Sequence, residues 1–442
     1  MKMINCFIPF LSLPQARQTV RALGLCDRIK NIYLLATEKI PDEVEGCEML
    51  MIDSPASTAT FRTIALHADT AYTLLYTKYT AFEPGQFAFE RLLAIAGDTN
   101  AGMLYADRYL LKNGNSQQAP VIDYQKGSLR DDFDFGSLLF FRSSVLKQAV
   151  RAMDADYRFA GLYDLRLRVS ELAELVHVNE YLYSEVETDI RKSGEKLFDY
   201  VDPKNRAVQI EMEAVCTAYL KRVGGYLAPD FEPVTFDAGG FEQEASVIIP
   251  VRNRIRTIED AICSVLAQKT TFRFNLIIVD NHSTDGTSEA IGKYTADGRV
   301  VHLVPERSDL GIGGCWNVGV HHPACGKFAV QLDSDDVYSG PDTLQKIVDA
   351  FYEQNCAMVV GTYRMTDFKM NEIPPGIIDH REWTLENGRN NALRINGLGA
   401  PRAFYTPVLR RINLPNTSYG EDYALGLRIS RTWRIGRIYD VL

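Results

Sequence analysis

Long apolar runs are missing from this 442-residue chain. Nowhere does it reach the roughly 18 to 20 consecutive apolar residues that a membrane-crossing helix needs. Met1-Lys-Met-Ile-Asn-Cys-Phe-Ile-Pro9 meets a proline after too short an apolar run for a secretory leader. An excess of positive charge is missing too: 48 Lys and Arg stand against 57 Asp and Glu, and the net charge of −9 argues against a nucleic-acid partner. Cysteine never occurs as C-x-x-C. The eight residues Cys6, Cys26, Cys47, Cys216, Cys263, Cys315, Cys325 and Cys356 fall mostly in apolar segments, which predicts small buried hydrophobes in a reducing compartment rather than disulfides or zinc ligands. His321-His322 lacks a third ligand at metal-site spacing and is expected at a loop or helix end. The remainder is ordinary globular composition, 46% hydrophobic and 24% charged. At roughly 100–200 residues per domain, the length accommodates two or three domains.

What the chain does have is a set of polar clusters, each at the end of an apolar segment. Lys327-Phe-Ala-Val330 reads as a buried strand, and Gln331-Leu-Asp333-Ser-Asp335-Asp336 follows it with closely spaced carboxylates. Acidic turns are common on solvated surfaces, so this cluster alone decides little. Upstream, Ala245-Ser-Val-Ile-Ile-Pro-Val-Arg-Asn-Arg254 is a β-branched strand ending in polar residues, as is Phe274-Asn-Leu-Ile-Ile-Val-Asp-Asn-His-Ser-Thr-Asp-Gly-Thr287. Between them Ile258, Ala261, Ile262, Val265 and Leu266 recur at helical spacing. Near-continuous apolar strands alternating with amphipathic helices predict a parallel sheet covered on both faces. Ligands of such sheets sit beyond the carboxyl ends of the strands, where Arg252, Asp280 and the Asp333 cluster would converge.

These signals resemble a glycosyltransferase of family 2 with the GT-A fold, over Ala245 to the C-terminus. Three further segments follow the family's order: Gly314-Cys-Trp-Asn317-Val-Gly319, Gly397-Leu-Gly399-Ala-Pro-Arg-Ala-Phe404, and Tyr419-Gly-Glu421-Asp422 at a helix start. The resemblance implies that Asp333 faces the nucleotide ribose, that Asp335, with Asp333, holds Mn²⁺ or Mg²⁺ against the diphosphate, and that Asp422, paired with Glu421, is the general base. Pro250, Arg252, Asn253, Ser283, Asn317 and Ser334 would line the donor, with Asp280 or Asn281 beside the nucleobase. Gly399, Ala400 and Arg402 would face the acceptor. Asn281 stands where the family often has a second Asp, which leaves the base open among uracil, guanine and thymine, a UDP-sugar coming first. The family usually also has a closing loop beyond the position of Leu442.

The chemistry agrees with these roles. A nucleotide diphosphate gathers charge as it leaves, and a divalent cation held by one or two carboxylates and by phosphate oxygens neutralises it. A carboxylate near the acceptor hydroxyl can take its proton, a contribution of about 10²–10⁴ in rate. One such base on the far face of the sugar gives a single displacement with inversion.

The first half parallels the second. Ile4-Asn-Cys-Phe-Ile-Pro9 matches the strand ending at Pro250, and Lys30-Asn-Ile-Tyr-Leu-Leu35 matches Phe274-Asn-Leu-Ile-Ile-Val279. Thr73-Leu-Leu-Tyr76-Thr-Lys78 aligns without a gap to Val330-Gln-Leu-Asp333-Ser-Asp335, which sets Tyr76 and Lys78 at the metal positions. Phe135 to Leu146 matches Leu398 to Leu409, and with Gly161 opposite Gly420 the base position falls on Tyr163. The expected fold is therefore α/β, two tandem GT-A-like, Rossmann-like domains of the nucleotide-diphospho-sugar transferase kind. Residues 1–200 would form a degenerate copy without the metal motif. Residues 201–243 would be a connector, with Asp202-Pro203 starting a helix and a Pro- and Gly-rich linker following it. Residues 244–442 would be the catalytic domain.

The leading functional expectation is an inverting, metal-dependent transferase in bacterial surface-polysaccharide assembly. It would pass sugar from a nucleotide diphosphate sugar to a glycan or lipid-linked glycan in the cytoplasm, at the inner face of the cytoplasmic membrane, with room for peripheral membrane contact and homo-oligomerisation. A sugar nucleotidyltransferase is the second reading, against which the Gly-rich N-terminal loop with its Arg and Pro-Lys is missing. A non-catalytic glycan-binding scaffold is the third, opposed by intact Asp333, Asp335 and Asp422.

Overall fold

The computed structural model describes residues 2–39, 42–112, 115–186, 206–237 and 239–442, in two compact units that meet in sequence at Gly225 and Tyr226. The expected helix start at Asp202-Pro203 lies outside the described residues. In the first unit the strands are β1 (Ile4–Pro9), β2 (Ile29–Ala36), β3 (Glu48–Met51), β4 (Tyr72–Tyr76), β5 (Phe82–Pro84), β6 (Met103–Lys112), β7 (Asn115–Ala119), β8 (Leu138–Arg142) and β9 (Leu175–Val186). Its helices are α1 (Leu13–Gly24), α2 (Thr58–His67), α3 (Ala88–Thr99), α4 (Ser143–Arg151), α5 (Gly161–Leu172) and α6 (Arg206–Arg222). The second unit has strands β10 (Ala245–Val251), β11 (Phe274–Asp280), β12 (Val300–Leu303), β13 (Phe328–Gln331), β14 (Met358–Thr366), β15 (Glu372–Ile378), β16 (Arg402–Tyr405) and β17 (Ile435–Val441). Its helices are α7 (Ile258–Leu266), α8 (Thr287–Gly292), α9 (Ile312–His321), α10 (Thr343–Gln354), α11 (Gly388–Asn391), α12 (Thr406–Ile412) and α13 (Glu421–Ser430).

Each unit is an α/β sheet, and the two sheets share strand order and polarity. The first runs β3-β2-β1-β4-β8-β6-β9 and the second β12-β11-β10-β13-β16-β14, with β17 also on β14. In both, four parallel strands meet an antiparallel one, β8 or β16. In both, that strand pairs antiparallel with β6 or β14, which then takes β9 or β17 in parallel.

The register corrects the alignment read from sequence. Phe7 lies opposite Leu75 and Ile248 opposite Gln331, so with Pro9 and Pro250 as one position, Leu75 corresponds to Gln331. The antiparallel neighbours agree, because Leu74 lies opposite Phe140 and Val330 opposite Ala403. Thr77 and Tyr79, not Tyr76 and Lys78, therefore correspond to Asp333 and Asp335. Likewise Ala160 and Gly420 are the N-caps of α5 and α13, and Leu175 and Ile435 take the same place in the following strand, which puts Leu162 rather than Tyr163 at the position of Asp422. A one-residue slip normally swaps the faces of a strand. Here every residue of β4 is buried, so the sequence pattern does not penalise the slip.

Burial on both faces explains the apolar strands. Cys6 and Ile8 pack with α1 and α3, while Phe7 packs on the other face with α2, α4 and α5. In the second unit Phe328 is fully buried, stacked on Phe351 with ring centroids 4.4 Å apart. Removing such a ring costs about 3–5 kcal/mol.

The expected connector divides differently. Helix α6 belongs to the first unit: Arg222 pairs with Glu171 at 2.7 Å, and the Glu211 carboxylate accepts the amides of Phe159 and Ala160 at 2.7 and 3.1 Å, just ahead of α5. The expected linker is fastened to the second unit. Leu227 exchanges hydrogen bonds with the Asn390 amide at 2.9 Å each way, Arg389 donates to the carbonyls of Ala228 and Asp230 at 2.8 Å, and Phe236 packs on Phe328. Apolar side chains among the prolines, such as buried Val234, gain more from packing than a free linker would allow.

Candidate active site

The site lies where β10, β11 and β13 end. Asp280, the last residue of β11, is fully buried. One of its oxygens accepts the Ser283 amide at 3.0 Å, and the other takes the Ser288 hydroxyl and lies 3.4 Å from His302 Nε2. Burial works to raise its pKa, but the Ser283 and Ser288 hydrogen bonds outweigh it and hold the carboxyl below its usual range. Asn281 donates from Nδ2 to the Leu310 carbonyl at 2.9 Å, and its buried Oδ1 has no partner among the described residues.

The turns after β10 and β11 are tied together by side chains that replace missing ladder bonds. Asn253, in the left-handed region at φ 57°, accepts the Thr284 amide at 2.8 Å, and its own amide reaches Ser283 Oγ at 3.0 Å. Arg252 and Arg254 are left exposed above them.

Beyond β13, Asp335 is half exposed and sits 3.7 Å from Arg254, while Ser334 is buried. Asp336 reaches solvent, yet its carboxyl, desolvated by the chain around it and repelled by Asp333 and Asp335, is pushed up to about 7. Asp333 accepts from Gln331 Nε2 at 2.8 Å. Gln331 Oε1 in turn accepts from Arg402 Nε at 2.7 Å, and Arg402 Nη1 donates to the Leu398 carbonyl at 3.0 Å and to Asp422 Oδ2. A chain of hydrogen bonds therefore joins the Asp333 carboxylate to Asp422. The other Asp422 oxygen accepts the Tyr423 amide at 2.7 Å. Neighbouring Glu421 is buried with one oxygen unpartnered among the described residues, and burial, reinforced by the Asp422 charge, pushes its carboxyl up.

This donor set fits a hard divalent cation. Among the described residues the carboxylates beyond β13 do not close into a three-ligand cage. That suits Mg²⁺ or Mn²⁺, which are held by one or two carboxylates and complete their shell with phosphate oxygens. The mutual repulsion felt at Asp336 is what a cation would relieve.

Several expected site residues are placed otherwise. The Asn317 side chain is committed to both backbone groups of Leu414, at 2.8 and 2.9 Å, so it shapes the loop after α12 and has no free amide for a donor. Arg402, expected to face the acceptor, is buried, and its contact with an acceptor would run through Asp422. Gly399 is half-buried against the His380 ring, where a Cβ would overlap. Burial, with the charges of Arg437 and Arg402, pushes the His380 pKa down to about 4. Pro250 lies within β10, and the Ala400 carbonyl, next to Gly399, accepts from His380 Nε2 at 3.2 Å. Sequence reasoning missed Gln331 and His380. A glutamine closing the otherwise apolar Phe328-Ala-Val-Gln331 was the available signal, since a buried amide needs partners.

Residues 246–411 match the Glycosyl transferase family 2 model. This segment belongs to glycosyltransferase family 2. An uncharacterized glycosyltransferase of Rickettsia felis is 30% identical over 200 residues, covering 45% of this chain and 32% of that one. A Bacillus subtilis glycosyltransferase, TuaG, named for a provisional role in teichuronic acid biosynthesis, is 33% identical over 120 residues, covering 27% of this chain and 46% of that one. The chain thus spans about a third to a half of the length of these curated relatives. Among solved structures, S. aureus TarS residues 1–349 is 24% identical with a TM-score of 0.37, over 45% of this chain and 58% of that one. The family segment contains β10 to β16 and stops short of α13, so Asp422 lies outside the matched residues.

Proposed function

We propose that the second unit is an inverting transferase that moves a sugar from a nucleotide diphosphate sugar to a hydroxyl of a glycan or lipid-linked glycan. The observation that carries this reading is the Asp333–Gln331–Arg402–Asp422 chain, which ties a carboxylate suited to the donor side to one suited to the acceptor side. Asn281 Oδ1, unpartnered among the described residues, offers an acceptor to the N–H groups of a base or to ribose hydroxyls, and buried Asp280 braces the turn that carries it. Arg252 and Arg254, both exposed, would reach the diphosphate, Arg254 from its place 3.7 Å from Asp335. Asp422, paired with Arg402, takes the proton of the acceptor hydroxyl as that oxygen attacks the anomeric carbon and the sugar–phosphate bond breaks. A Mn²⁺ or Mg²⁺ at Asp335 and Asp333 would neutralise the charge left on the departing diphosphate.

The TuaG relative makes surface polysaccharide the first acceptor class to examine, and UDP-sugars the first donors. No helix among the described residues is long and apolar enough to cross a membrane; a site of action at the inner membrane face is part of the proposal. The first unit, which has Ala36, Thr77, Tyr79 and Leu162 where the second has Asp280, Asp333, Asp335 and Asp422, is proposed to be a non-catalytic domain of the same descent. A panel of nucleotide sugars tested for Mn²⁺-dependent hydrolysis or transfer, with the anomeric configuration of the product read by NMR coupling, tests the reading. Retention of configuration, or turnover unaffected by EDTA, would overturn it.

A further inference from the structure

We propose that Arg402 and Gln331 are positioning residues that aim the Asp422 carboxylate and tie it to the carboxylate at Asp333. This rests on the transferase reading of the site.

Arg402 is buried, and its guanidinium has a different task on each edge: Nε donates to Gln331 Oε1 at 2.7 Å, while Nη1 donates to the Leu398 carbonyl at 3.0 Å and to Asp422 Oδ2. Gln331 is equally divided, since its Nε2 donates to Asp333 at 2.8 Å while its Oε1 accepts from Arg402. An amide and a guanidinium are suited to this, because each holds two partners at fixed angles in one plane. The arrangement leaves Asp422 one oxygen on Arg402 and the other on the Tyr423 amide, so both its position and its rotation are fixed before an acceptor arrives.

The first unit supplies an internal control. Its residues at the positions of Gln331 and Arg402 are Leu75 and Leu139, which face each other across β4 and β8 and are both buried. The sheet therefore closes at this point without any polar pair. Burying a guanidinium and an amide there is costlier than burying two leucines. The pair occurs in the unit that carries Asp333 and Asp422 and is replaced by hydrocarbon in the unit that carries Thr77 and Leu162. Structural need alone does not account for that difference; holding the carboxylates does.

The discriminating variant is Arg402→Lys, in the full chain. A lysine keeps the charge and most of the volume, but its one ammonium cannot span Gln331 and Asp422 as the fork does. We expect kcat to fall about 10²-fold, the scale of a misaimed catalytic group, with the donor KM, the Mn²⁺-dependent affinity for the nucleoside diphosphate and the melting temperature unchanged. Arg402→Ala should regain much of its lost kcat when millimolar guanidinium ion is added, and Gln331→Leu should lower kcat by a smaller factor without that recovery. An Arg402→Lys enzyme with wild-type kcat overturns the inference. So does a loss of kcat that follows lost stability or lost donor affinity and shows no guanidinium recovery in Arg402→Ala, which is the result of a purely structural role. A wild-type chain that turns over no donor removes the transferase reading and this inference with it, a result distinct from an active wild type whose variants behave normally.

Discussion

The two units of this chain run through the same strands in the same order and diverge at the strand ends. At the end of β2 and beyond β4 the first unit has Ala36, Thr77 and Tyr79; at the end of β11 and beyond β13 the second has Asp280, Asp333 and Asp335. Inside the sheets the roles invert. The first unit fills the middle with Leu75 and Leu139, and the second holds Gln331 and Arg402 there, hydrogen-bonded at 2.7 Å. The buried apolar register thus carries the fold in both, while a handful of residues at one edge carries the proposed chemistry in one. Electrostatics follows the same division. Tyr76 and Tyr183 in the first unit are pushed up by burial and stay neutral, while Asp336 in the second is pushed up to about 7 by desolvation and the crowding of like charge.

The contrast is sharpest at Asp422. Asp422→Asn is expected to lower transfer by about 10²–10⁴ with donor affinity nearly kept, and Lys78→Ala in the first unit to leave transfer unchanged. Steady-state kinetics beside calorimetric donor binding checks both; a loss of donor affinity with turnover preserved would make Asp422 a binding residue. The next effect concerns metal. Nucleoside diphosphate should bind at least about tenfold more tightly with Mn²⁺ than with EDTA, since an ion held by Asp335 and Asp333 would neutralise phosphate charge, and Asp335→Asn should remove the difference. Titration should give one Mn²⁺ per chain; a second, carboxylate-bound ion in the first unit would collapse the contrast between the units.

Smaller effects are expected at the paired glycines. Gly136 and Gly399 occupy the same place in the two sheets, but a Cβ would overlap the Tyr183 hydroxyl in one and the His380 ring in the other. Each Gly→Ala change should cost about 1–3 kcal/mol by overpacking, seen as a lower melting temperature of the unit that carries it. The same pair predicts a pH difference. His380 is pushed down to about 4 from 6.5, so the native second unit holds it neutral while the unfolded chain protonates it. Its contribution is complete above about 6.5 and is lost as pH falls toward 4. Tyr183, pushed up to about 12, does not titrate in that window. Asp336, pushed up to about 7, works the other way because the native unit takes its proton before the unfolded chain does, so the His380 part is read as a difference: the stability of the wild type relative to His380→Gln should fall between pH 6.5 and 4.5 in thermal melts.

Much of the second unit was legible because its signals are local. Ala245–Val251 and Phe274–Asp280 are β-branched runs closed by turn-forming Asn, Ser and Asp, and the carboxylates beyond Phe328–Gln331 declare themselves by position. The donor role given to Asn317 was not legible, because only the packed loop shows that its amide is spent on Leu414, 97 residues away. The alignment of the halves slipped by one residue at β4 for a related reason. A strand buried on both faces carries no alternation to fix its register, and the neighbours that do fix it, Phe7 and Leu139, are distant in sequence.

The sequence by itself determined the fold class, the parallel course of the two halves and the place of the carboxylates just beyond a buried strand, because hydrophobic periodicity and turn chemistry act over a few residues. Only the tertiary structure decided which residue of the first unit stands at each position of the second, that the Tyr226–Phe236 segment is fastened to Arg389, Asn390 and Asn355, and that Arg402 lies between Gln331 and Asp422. Those facts depend on pairings between strands and loops 20 to 163 residues apart in sequence, brought together by burial and hydrogen-bond satisfaction.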